Sequence, residues 1–71
     1  MTMGEKIKEL REAKGWSQGK LTELIGISDK NLVSCWETGK CEPRAYNCLI
    51  LAEVFNISLD ELFCRDFKGE K

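Results

Sequence analysis

Apolar side chains recur three or four positions apart along most of this chain. Ile7, Leu10 and Ala13 form one set, Leu21, Leu24 and Ile25 a second, and Cys48, Leu51, Ala52 and Phe55 another. That spacing puts each set on one face of a helix, and no stretch carries the alternation of a half-buried strand. The residues between the sets agree. Thr2 and Glu5 are spaced as a capping box that opens a first helix, and Gly15 suits its end. Ser17 is a good N-cap for a second helix, Gln18 to Ile25, which Gly26 breaks. Ser28 or Asp29 can cap a third helix over about 29–38, stopped by Gly39, after which Pro43 begins the next segment. A fourth helix is predicted over about 44–55, and Ser58 with Glu61 forms a second capping box for a short fifth helix through Leu62 and Phe63. The pattern predicts a compact all-α domain of five short helices.

Composition narrows what such a domain can be. The 71 residues suit a single domain, 1–71, with its core over about 3–64 and a tail over 65–71. A chain of this size buries only about 60% of the surface its unfolded form exposes, so modest stability is expected. The opening MTMGEKIKEL has no apolar segment and the longest apolar run is Cys48 to Ala52, which predicts a cytoplasmic protein with no membrane partner. Of the four cysteines no two are spaced C-x-x-C, and histidine is absent, so free thiols and no metal are expected. No nucleophile-and-base set or phosphate loop is present, which argues against an enzyme and predicts no cofactor. Charge weakens the electrostatic case for nucleic acid: eleven basic and twelve acidic residues give a net charge of −1, so the local pattern has to carry any such reading.

The informative stretch runs from Ser17 to Pro43. A helix, a tight turn holding Gly26 and a second helix is the helix-turn-helix plan, which can set its second helix in the major groove of DNA. Gly26 permits the left-handed backbone of that turn, Thr22 lets the two helices approach, and Ile27 plugs the turn. From REAKGWSQ, through LTELIGIS, to WETGK with a proline three residues on and the closing LAEVFNISLDELF, the chain resembles the phage-repressor (Xre/Cro-type) family of helix-turn-helix transcriptional regulators. The resemblance covers about residues 5–63. It implies a five-helix lambda-repressor-like fold and a regulator that occupies operator DNA, most naturally as a repressor.

One departure from the family leaves the third helix with two possible registers. Nine residues lie between Gly26 and Trp36, one more than members usually place there. Either the turn is longer and Val33 with Trp36 faces the core, or the turn is standard and Leu32 with Cys35 does. The first register turns out Asn31, Ser34, Cys35 and Thr38 and sets Glu37 beside the core; the second exposes Val33 and Trp36 and points Glu37 toward phosphates. The longer turn is favoured on those grounds. The resemblance further implies that Glu37 pairs with Arg11.

Candidate contacts follow from side-chain chemistry. Asn31 can bond adenine in a bidentate way, Lys30 can reach guanine or a phosphate, and Ser34 and Thr38 can meet base edges or phosphates. Asp29 either caps the helix or accepts from cytosine. Ser17 and Gln18 stand at the N-terminus of the second helix, a natural phosphate site; by resemblance Gln18 also braces the recognition helix, and Lys40 and Arg44 hold phosphates. Ile50, Phe63 and Phe67 suggest a homodimer interface, and the resemblance places dimerisation in that C-terminal region. Any inducing signal is expected through a regulatory protein partner. Two rival readings stand beside this one: an acidic protein-interaction module of antitoxin or adaptor kind, suggested by a pI of about 5.4, and a thiol-based redox sensor with Cys35 as its switch.

Overall fold

The computed structural model describes residues 2–63, which form five helices: α1 (Met3–Ala13), α2 (Gln18–Ile25), α3 (Asn31–Thr38), α4 (Ala45–Phe55) and α5 (Leu59–Leu62). The capping box at the chain start is present: the Thr2 hydroxyl accepts from the Glu5 N–H at 3.2 Å, and the Thr2 N–H donates to the Glu5 carboxylate at 2.9 Å. Ser17 caps α2 through Lys20 N–H at 3.0 Å, and Ser58 caps α5 through Glu61 N–H at 3.1 Å. Two helices start slightly later than the sequence suggests. Lys30 is already αR, but α3 begins at Asn31; Arg44 stays extended, so α4 begins at Ala45.

Helices α1 to α4 end alike. The chain turns left-handed at Gly15, Gly26, Gly39 and Asn56, and the next N–H returns to a carbonyl five residues back: Trp16 to Arg11, Ile27 to Thr22, Lys40 to Cys35 and Ile57 to Ala52. This is the Schellman arrangement, in which the residue after the turn commonly folds back onto the helix. Trp16, Ile27 and Ile57 do so and pack against the core. After Gly39 the corresponding residue is the exposed Lys40, and the half-buried Cys41 packs there instead.

The core joins all five helices. Ile7, Leu21, Ile25, Val33, Trp36, Cys48, Leu51, Phe55 and Leu62 are buried together. Trp16 lies half-buried at their edge, its ring stacked on Phe55 with centroids 5.8 Å apart. Helix α1 crosses α3 at Gly4, where an added Cβ would collide with the Trp36 carbonyl oxygen. Among the described residues no helix is long and apolar enough to cross a membrane.

Candidate nucleic-acid interface

The structure takes the longer-turn register. Val33 and Trp36 are buried, whereas Leu32 and Cys35 are only half-buried. Helical spacing then gathers Lys30, Ser34, Thr38, Asn31 and Cys35 in one arc of roughly 140°, opposite the core. Lys30, Asn31 and Thr38 are exposed, and Ser34 and Cys35 are half-buried. Two of the candidate groups already have work within the helix. The Asp29 carboxylate accepts from the Asn31 N–H at 2.9 Å and so ties the start of α3, whereas the N-cap position itself falls on Lys30, which makes no side-chain cap bond; Ser28 is not the cap either. The Thr38 hydroxyl donates to the carbonyls of Ser34 at 2.9 Å and Cys35 at 3.3 Å, so it faces outward as an acceptor.

A three-residue clamp fixes where this face points. The Arg11 guanidinium donates through Nε to Glu37 Oε2 at 2.7 Å and through Nη2 to Oε1 at 3.2 Å, the two-pronged geometry that makes such pairs strong. Its Nη1 donates to the Trp16 carbonyl at 2.7 Å, and Gln18 Nε2 donates to Glu37 Oε1 at 3.0 Å. The Arg11 and Glu37 side chains retain only 11% and 3% of their exposure. Glu37 hydrogen bonds raise the Arg11 pKa above its ordinary value, outweighing the opposing effect of burial. Helices α1 and α2 thus hold one carboxylate of α3 between them. The carboxylate that would have faced DNA in the shorter register is instead neutralised inside.

The backbone-facing candidates lie on the segments before and after α3. Ser17 and Gln18 sit at the start of α2, where helix geometry leaves first-turn N–H groups without intrahelical acceptors. Lys40 and Arg44 are both exposed in the segment joining α3 to α4. Of the C-terminal candidates, Ile50 and Phe63 are half-buried against the core, and Phe67 lies outside the described residues. The large exposed apolar side chains of α4 are Tyr46 and Leu49. Two residues escape a reading by pattern. Gly4 was available as a signal, because a glycine inside a helix carries a cost that some close approach must offset. Cys41 gave no local signal, since only the left-handed turn at Gly39 returns it to Cys35.

Two helices joined across a left-handed glycine turn, the second presenting a polar face and locked by buried ionic contacts, define a helix-turn-helix domain. The helix-turn-helix family matches residues 7–62, and the chain belongs to that family, in its phage-repressor-like branch of transcriptional regulators. The chain is 31% identical over its full length to the HTH-type transcriptional regulator ImmR of Bacillus subtilis, of which it spans 55%. It is 33% identical to the regulator YgzD of the same organism, with 86% of this chain and 91% of YgzD covered. Among solved structures, the P22 c2 repressor in complex with a synthetic operator superposes with a TM-score of 0.84 at 32% identity, covering 93% of this chain and 98% of that one. The restriction-modification controller protein C.AhdI of Aeromonas hydrophila superposes with a TM-score of 0.78 at 39% identity, covering 86% and 91%.

Proposed function

We propose that this protein regulates transcription by binding operator DNA with α3 in the major groove. The observation that carries this reading is the register of α3: a neutral, hydrogen-bonding face with Lys30 at its N-terminal edge, held at a fixed angle by the Arg11–Glu37–Gln18 clamp. Asn31 and Lys30 read bases, with Ser34 and Thr38 beside them. Lys40, Arg44 and the start of α2 at Ser17 and Gln18 hold the backbone. Asp29 first ties the start of α3 through the Asn31 N–H and meets DNA through the lone pairs that bond leaves free. The P22 c2 repressor, similar over nearly its whole length, was solved on an operator, which supports the same docking here.

The protein acts in the cytoplasm as a homodimer, since paired recognition helices meet successive major-groove faces. Tyr46 and Leu49, at 73% and 57% exposure, extend the apolar surface of Ile50 on α4 and make a better interface than Ile50 alone. A regulatory protein partner fits as the source of any signal. Selection of bound duplexes from random DNA, followed by titration at several salt concentrations, tests the reading. A defined motif and a steep fall in affinity with salt are expected; recovery of no preferred sequence, with affinity insensitive to salt, would favour a protein-interaction module instead.

A further inference from the structure

The turn that ends α3 brings two thiols together. Gly39 is left-handed at φ 84°, and the Lys40 N–H returns to the Cys35 carbonyl at 3.0 Å. The Cys41 N–H follows to the same carbonyl at 3.4 Å. A backbone hydrogen bond of this kind draws two residues toward the Cα separation that a disulfide spans. Both side chains are half-buried, and neither is locked in the core as Cys48 is. Burial first, and then hydrogen bonding to Cys35, raises the Cys41 pKa above its ordinary value, in keeping with the closeness that the backbone bonds impose. Cys41 also lines an open cleft of about 320 Å³ beside Met3, Trp36 and Pro43, large enough to admit a small oxidant.

We propose that Cys35 and Cys41 form a redox-responsive dithiol, closed by peroxide to a disulfide across the end of the recognition helix, and that closure weakens DNA binding. The proposal rests on the DNA-binding reading above. One thiolate attacks the peroxide, giving a sulfenic acid and hydroxide; the second sulfur then displaces water from the sulfenic acid, with its proton leaving. In sum, two thiols and one hydrogen peroxide give one disulfide and two waters. A thiol reductant reverses the change. Closure acts on binding because Cys35 belongs to the exposed arc of α3 and Lys40 stands between the bridged residues. Drawing the sulfurs into a bond moves the segment that carries Lys40 and Arg44 relative to the groove-facing side chains.

The test has a chemical arm and a binding arm. The full chain is treated with hydrogen peroxide, alkylated and digested with trypsin, which cuts after Lys40 and so separates Cys35 from Cys41 unless a bridge joins them. The bridged pair of peptides is the expected product. Affinity is then measured on a duplex selected from random sequence with the reduced protein. A loss of about tenfold on oxidation is expected, restored by dithiothreitol and absent in Cys41→Ser. Bridging to another cysteine, or none, would overturn the pairing. A bridge without change in affinity would overturn the switch. If the reduced protein selects no duplex, the DNA-binding reading fails and the switch with it, while the peptide map still decides the pairing.

Discussion

Single residues here are tested most sharply where burial and charge meet. Arg11 and Glu37 are both nearly buried and satisfied only by each other and by their immediate neighbours. Glu37→Ala leaves the guanidinium without its partner in a low-dielectric site, and a loss of about 3–5 kcal/mol is expected. Urea denaturation measures it, and a loss below about 1 kcal/mol would show that water replaces the carboxylate freely. Gly4 is limited by contact rather than charge. Gly4→Ala must push α1 off the Trp36 carbonyl, and destabilisation of roughly 1–3 kcal/mol is expected by the same measurement. An ordinary exposed helix position would instead gain stability from that change. Neither effect is visible in periodicity: the ion pair enters through family resemblance, and the Gly4 contact requires knowing which helix crosses which.

At the scale of helices, much was legible. Caps at Thr2, Ser17 and Ser58 and stops at Gly15, Gly26 and Gly39 are local chemistry, so the sequence marks the elements to within a residue or two. The register of α3 was legible for a different reason: only one phase buries Val33 and Trp36 while keeping a carboxylate away from phosphates. What pattern could not supply is the path after α3, because the residue that packs there is one later than in the other caps. The same register yields a prediction about reading. Asn31→Ala is expected to cost about 1–3 kcal/mol on the selected operator and to relax preference at one base pair. Lys40→Ala or Arg44→Ala is expected to weaken all sequences alike and to reduce the salt slope by about one. Unchanged affinity and motif in Asn31→Ala would place base reading elsewhere on the helix.

Properties of the whole molecule follow from what α4 hides and what it shows. Its inner face buries Cys48, whose thiol donates to the Pro43 carbonyl at 3.6 Å and whose pKa is raised above 9.0 by burial and then by Glu42. The unfolded chain therefore releases this proton at lower pH than the folded one, so stability is complete below about pH 9 and falls as the pH rises beyond it. Thermal melts from pH 7 to 10.5 should show that decline, and Cys48→Ala should flatten it; an unchanged slope would assign the decline to other groups. The outer face of α4 carries Tyr46 and Leu49. Leu49→Lys is expected to lower the apparent mass in solution without loss of helicity, whereas Ile50→Lys would also disturb the core on which Ile50 rests. A wild-type chain that is monomeric at every concentration, with or without DNA, would remove the interface. The clamp has one more consequence. Because orientation of the recognition helix depends on Arg11, Gln18 and Glu37, and its folding on Val33 and Trp36, the side chains of Lys30, Asn31 and Ser34 are left outside both tasks. On the proposed reading of DNA by those positions, substitutions there change the target site while leaving the scaffold unaltered.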